Sequence, residues 1–252
     1  IDFSKGLDII VDEGDQVDLM ARCARDSGMN RIRNRLCVAG SLGGNMEQAE
    51  RTLEGIRGTH VSGPSAHFKN VKRHYAPDFT SFVAVDTETT GLEAEDMITE
   101  IGAVRVVDGV VTEHFQMLCN PGRWIPEFIV NLTGITNEMV ADKPSCGEAA
   151  RAFAQFAGND ILIAHNARFD LGMLAKAALP EGVELSNEFF DTDVFAHGFK
   201  REQEWEFTRL GYLADKLGVP LSGAHRALAD AEAAAGVYLK LREMHLEKLR
   251  QG

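Results

Sequence analysis

From about residue 80 onward the 252-residue chain is predicted to fold as an α/β domain, on three observations. An apolar run, Phe82-Val83-Ala84-Val85, ends in the carboxylates Asp86 and Glu88. Two further apolar stretches meet at Asp108-Gly109, and beyond Pro126 segments of helical periodicity alternate with short apolar strands.

Phe82 to Val85 reads as a buried strand that delivers carboxylates where the chain leaves the core. Ile98–Val107 and Val111–Leu118 are two further strands, and Asp108-Gly109 between them is a favourable hairpin turn, so three successive strands form a meander. Pro126 opens a helix, since a fixed φ and a missing N–H cost nothing at a helix start. A second helix covers Glu148 to Phe156, and Ile161-Leu162-Ile163-Ala164 is a fourth strand, followed by a helix from about Phe169 to Ala178. Phe189-Phe190-Asp191-Thr192 makes a fifth, shorter strand. Arg209 to Leu217 is a helix stopped by Gly218, and the alanine- and leucine-rich Arg226 to Glu247 is a long final helix, leaving 247–252 as a tail.

Residues 1–78 differ in texture, with glycine pairs, broken apolar stretches and blocks of charge. Short helices are expected at about Gln16–Arg25 and Met46–Ile56, with a strand between them on which Arg31, Arg33 and Arg35 share one face. Lys69, Lys72 and Arg73 form a second basic cluster before the junction at Ala76-Pro77-Asp78. Either cluster is a solvated surface or a guide for a polyanion, and this segment is also the candidate contact for a polymerase or repair partner. Because the chain begins at Ile1 rather than Met, further residues are expected upstream.

No run of about 18 apolar residues or charged-then-apolar leader is present, so a cytoplasmic protein without a membrane span is expected. Cys23, Cys37, Cys119 and Cys146 lie far apart without a C-x-x-C pair, as free thiols would. A zinc site joining Cys23 and Cys37 to His60, His67 or His74 matches no finger spacing. The net charge of −12 argues at first against a nucleic-acid partner. Residues 1–80, however, carry 11 basic and 11 acidic side chains, and the remainder 15 and 27, so the whole excess lies in the α/β region. Carboxylates gathered to hold divalent cations account for such an excess, and the bound cations reverse the field that a phosphate meets.

Asp86 and Glu88 stand two apart on a strand, so their side chains share one side of the sheet. Alone, the pair is better explained by a solvated acidic turn. Asp170 follows the fourth strand near a helix start, where a carboxylate also serves as a cap, and Asp230 in the first turn of the last helix also complements its dipole. A lone His225 before that helix is usually structural. The combination carries the weight: carboxylates after two separate apolar strands, then a His and an Asp on a helix that can pack back on the sheet.

These segments resemble the DEDDh, or DnaQ-like, exonucleases, a family that includes polymerase proofreading subunits and ribonuclease T. The matching residues are Val85-Asp86-Thr87-Glu88-Thr89-Thr90-Gly91-Leu92, Leu132-Thr133-Gly134-Ile135, His165-Asn166-Ala167-Arg168-Phe169-Asp170 and His225-Arg226-Ala227-Leu228-Ala229-Asp230-Ala231, in the family's order over roughly residues 80–242. Arg226 stands where the sister branch places a tyrosine. The resemblance implies a ribonuclease H-like fold with a five-stranded mixed sheet flanked by helices. It also implies a cradle of Asp86, Glu88, Asp170 and Asp230 for two Mg²⁺ or Mn²⁺ ions, with Asp86 bridging them. His225 is then the general base that takes a proton from the attacking water, a role that suits imidazole near neutral pH. The implied activity is 3′-to-5′ hydrolysis of single-stranded or mispaired ends, DNA before RNA, releasing nucleoside 5′-monophosphates. Thr89, Thr90, Gly91 and Leu92, with His165 and Asn166, are the implied contacts for the terminal nucleotide, and Phe169 reads as core. A non-catalytic module that clamps strand ends or a partner is the reading from a different class. A monomer or weak dimer is expected.

Overall fold

The computed structural model describes residues 69–70, 78–183 and 185–251. The chain divides into two units, residues 1–66 and 67–252, and all the described residues belong to the second. The helices expected at Gln16–Arg25 and Met46–Ile56, the strand of Arg31, Arg33 and Arg35, Cys23, Cys37, Lys72 and Arg73 lie outside the described residues.

The sheet contains six strands: β1 (Lys69–Asn70), β2 (Phe82–Thr89), β3 (Ile98–Val107), β4 (Val110–Leu118), β5 (Leu162–Ala164) and β6 (Glu188–Asp191). Their order across the sheet is β1-β6-β5-β2-β3-β4. The meander β2-β3-β4 is antiparallel, whereas β5 joins β2 and β6 joins β5 in parallel. These five strands are the ones the sequence predicts, and the two-residue β1 extends their edge in parallel with β6. Asp108 (φ 50) and Gly109 (φ 79) both lie in the left-handed region, the geometry of the tight hairpin turn that matches strand twist.

The helices are α1 (Glu127–Thr133), α2 (Asn137–Ala141), α3 (Cys146–Ala157), α4 (Ala167–Ala178), α5 (Thr192–His197), α6 (Leu210–Leu217) and α7 (Ala227–Gln251). Pro126 and Ser145 precede α1 and α3, and the hydroxyl of Ser145 accepts from Glu148 N–H in a reciprocal capping box. Two short helices, α2 and α5, escape the sequence reading: α5 begins at Thr192, which the sequence assigns to a strand. The last helix continues through Gln251, so 247–251 are helical and not a tail. None of the described helices is long and apolar enough to cross a membrane.

Period-two alternation on β2 divides the core. Val83 and Val85 pack with Leu171 and Leu174 of α4 and Phe153 of α3. Phe82 and Ala84 face the other way, onto Ala235 and Tyr238 of α7. Asp86 and Glu88 continue the α7-facing row, and Thr87 continues the α4-facing row. Phe169 packs against the α3–α4 cluster, as expected of a core residue.

Candidate active site

Asp86 and Glu88 leave β2 on its α7 side, and Asp230, in the first turn of α7, meets them there. Each of these three residues offers a carboxylate oxygen, and the three oxygens lie within 4.8 Å of one another. Close packing of α7 makes this meeting possible. Gly102 on β3 is the cross-strand partner of Asp86, and a Cβ on it would stand 2.1 Å from the Ala227 carbonyl carbon and the Leu228 nitrogen. Gly102→Ala is therefore expected to push the start of α7, and Asp230 with it, off the sheet. The cost is about 2 kcal/mol or more in stability, together with weakened Mn²⁺ binding. Unchanged melting and Mn²⁺ titration would show that α7 does not depend on this approach.

Asp170 approaches from the opposite face. It is buried, and its Oδ1 accepts from Thr87 N–H at 2.9 Å and from the Thr87 hydroxyl at 2.8 Å. It does not join the three mutually close carboxylates, yet its charge is felt by Asp86. Burial raises the pKa of Asp86 well above the carboxylate range, with Asp170, then Glu88 and Asp230, adding to the rise. Glu88 is pushed up to about 8 by burial and then by Asp230 and Glu100. Asp170 is raised to about 7 by burial, against the downward pull of the Thr87 hydrogen bonds. Asp230 is also raised by burial, offset in part by the His225 N–H that it accepts.

Such a group of acids is costly when ionised and empty, because burial and mutual repulsion both favour protons. Hard carboxylate oxygens are the donors that Mg²⁺ and Mn²⁺ prefer. A divalent cation replacing those protons removes both penalties, so the residues fit a metal, which Asp86, Glu88 and Asp230 could hold.

His225 lies beside the cluster with its side chain exposed. Its backbone adopts φ 66, and its N–H donates to Asp230 Oδ2 at 2.9 Å. The segment after β2 is folded tightly on itself. The Thr89 hydroxyl donates to Gly91 C=O at 2.6 Å, and that of Thr90 to Asp96 at 2.8 Å. A Cβ on Gly91 would meet Asp96 Oδ2 at 2.4 Å, so the close approach that requires glycine here is to the protein's own carboxylate. Lys176 and Arg123 pin the same loop through Ala94, Asp96 and Glu95 carbonyls. Of the four loop residues singled out for substrate contact, Leu92 alone is exposed, at 36%. His165 and Asn166 are also turned inward: His165 Nδ1 lies 2.9 Å from Thr192 Oγ1, and the Asn166 N–H donates to Asp191.

Two buried acids that hold the site escape the sequence reading. Asp191 accepts from the N–H groups of Asn166, Ala167, Asp193 and Val194, so it caps both α4, which carries Asp170, and α5. Burial and the neighbouring Asp193 raise it to about 6. Glu100, fully buried on β3, binds Arg226 and the start of α7. The signal in each case is a carboxylate in a strand beside buried apolar residues.

A mixed sheet that presents carboxylates from its central strand to acids on two flanking helices defines an enzyme of the nuclease class with a ribonuclease H-like fold. An exonuclease family model, RNase_T, matches residues 83–238. The chain belongs to that exonuclease family, in its DEDDh branch, and carries a hydrolase domain. The DNA polymerase III PolC-type of Bacillus subtilis is 39% identical over 171 residues, which are 67% of this chain and 12% of the polymerase. That of Thermotoga petrophila is 33% identical over 202 residues, 79% of this chain and 14% of the relative. The chain thus spans a small part of the length of the polymerases it matches. Exonuclease X, solved in complex with 5′-overhanging duplex DNA, is 29% identical with a TM-score of 0.53, covering 64% of this chain and 91% of that one. Escherichia coli Exonuclease I, solved with a dT13 oligonucleotide, shares the fold at 21% identity and a TM-score of 0.58, over 69% of this chain and 43% of that one.

Proposed function

We propose that the domain is a metal-dependent 3′-to-5′ exonuclease that shortens single-stranded or mispaired DNA ends one nucleotide at a time, releasing nucleoside 5′-monophosphates. The observation that carries this reading is the convergence of Asp86, Glu88 and Asp230 with Asp170 behind them. The similarity to PolC-type DNA polymerases favours DNA over RNA.

When bound, two divalent cations on these carboxylates supply charge neutralisation at the attacking and leaving oxygens of the scissile phosphodiester. The residues then have separate tasks. Asp86, on which the charges of Asp170, Glu88 and Asp230 all act, would serve both cations. Asp170 is oriented by Thr87, which fixes one of its oxygens. His225, exposed and tethered to Asp230 through its backbone, takes the proton from the attacking water at its imidazole. Leu92 provides an apolar surface for the terminal base. The water oxygen bonds to phosphorus as the bond between phosphorus and the 3′-oxygen of the penultimate nucleotide breaks, and that oxygen takes up a proton from solvent to become the new 3′-hydroxyl.

The test uses 5′-labelled single-stranded DNA and RNA of matched sequence, with Mg²⁺, Mn²⁺ or chelator. A ladder shortening from the 3′ end, dependent on metal and faster on DNA, is expected. A faster ladder on RNA would reassign the sugar, and a folded, Mn²⁺-binding protein that degrades neither strand would overturn the activity.

A further inference from the structure

Glu100 and Glu88 are direct cross-strand partners on β3 and β2, so two carboxylates stand side by side on the face that holds the metal cluster. Like charges in that relation destabilise a sheet, and Glu100 contributes to holding the Glu88 carboxyl up. A fully buried acid at this position needs a compensating task.

Its hydrogen bonds identify the task. Glu100 Oε2 accepts from Arg226 Nε at 3.0 Å and from Ala227 N–H at 3.1 Å, and Oε1 accepts from Arg226 Nη2 at 2.7 Å and Gln116 Nε2 at 2.9 Å. Three of these four donors belong to the start of α7. The planar guanidinium meets the carboxylate as a two-pronged fork, the pairing with the strictest geometry available to a salt bridge. Arg226 is flanked by His225, and its carbonyl accepts from Asp230 N–H at 3.1 Å one turn later.

We propose that the Glu100–Arg226 pair is a positioning device that sets the first turn of α7, and through it Asp230 and His225, against the metal-holding face of β2. The pair touches neither substrate nor scissile bond. It rests on the reading of the cluster as a metal-dependent nuclease centre, and its effect reaches the reaction through Asp230.

The test compares the parent chain with Glu100→Gln, Arg226→Lys and the double variant, reading Mn²⁺ affinity by electron paramagnetic resonance titration alongside kcat and KM on single-stranded DNA. Partners that orient a metal ligand typically change affinity or activity by about 10–100-fold. Glu100→Gln, which cannot accept all four donors, is expected to lose Mn²⁺ affinity and kcat on that scale with KM little changed. Arg226→Lys keeps the charge, loses the fork and should show part of the loss even if Glu100→Gln folds poorly. The double variant should lose no more than the worse single one, because the two residues act as one unit. Melting temperatures lowered while Mn²⁺ affinity and kcat stay within twofold of the parent would overturn the proposal and leave a purely structural ion pair. Variants that lose Mn²⁺ affinity relative to a parent chain that binds Mn²⁺ but has no nuclease activity would retain the positioning role and reject the activity.

Discussion

Asp86→Asn is expected to abolish hydrolysis while making the metal-free protein more stable. The two effects have one cause. Asp86 is burdened by burial and by Asp170, Glu88 and Asp230, so its ionised form is costly without a cation. Asparagine keeps the size and one oxygen but removes the charge. The rate on single-stranded DNA should fall by roughly a thousandfold or more, the scale seen when a group stabilising transition-state charge is lost. In the presence of chelator the unfolding midpoint should rise, by about 2–4 °C for each kcal/mol of relieved repulsion in a domain of this size. A loss of activity accompanied by a lower metal-free midpoint would show that Asp86 is structurally required and not held under electrostatic strain.

The second large effect is a pH dependence of stability that metal reverses. The folded protein holds protons on Glu88 up to about 8 and on Asp170 up to about 7, against ordinary values of 4.5 and 3.8. Over that interval the native state binds more protons than the unfolded chain, so stability falls as pH rises from about 4.5 to about 8. It is fully present below the ordinary values and lost above the raised ones. Cations compete with the same protons, so Mg²⁺ or Mn²⁺ binds more tightly toward pH 8 and restores stability there, by about 2.7 kcal/mol when present at a hundred times its dissociation constant. Thermal melts from pH 5 to 8.5, with and without metal, should diverge as pH rises. Parallel curves would show that the carboxylates do not exchange protons for metal.

The two ends of this site differ in how openly the sequence displays them. Asp86 and Glu88 are legible because a strand's period of two puts them on one face, and that face is the one α7 covers. Asp230 follows from its place in the first turn of a helix whose alanines allow close packing. The strand order and the final helix follow from apolar periodicity in the same way. Asp170 is read as one more member of a single cradle. It reaches the site from α4 with one oxygen bonded to Thr87, because alternation along β2 sends the residue between the two acids toward α4, and its charge acts on Asp86. That is a tertiary consequence visible only once the faces of the sheet have partners. Thr89, Thr90 and His165 are implied substrate contacts in a motif, and the sequence does not show that the two threonine hydroxyls donate to Gly91 and Asp96 or that His165 Nδ1 lies beside Thr192. Glu100 and Asp191 lie inside strand patterns, where a charged residue lowers the score of the strand without announcing a partner 126 positions away, as Arg226 is from Glu100. The short α5 is hidden for the same reason, since Asp191 is at once the end of β6 and the cap that starts the helix.

Asp191 also has a mechanical meaning. Its Oδ1 is shared by the amides of Asn166, Asp193 and Val194, and its Oδ2 holds that of Ala167. The beginnings of α4 and α5 therefore share one acceptor group, so loss of the Asp191 carboxylate would leave both without their cap. The amides of these two helix starts are expected to exchange with solvent as one opening unit. Asp170, one turn inside α4, is thereby insulated from the small independent fluctuations that a helix end beside a loop ordinarily makes.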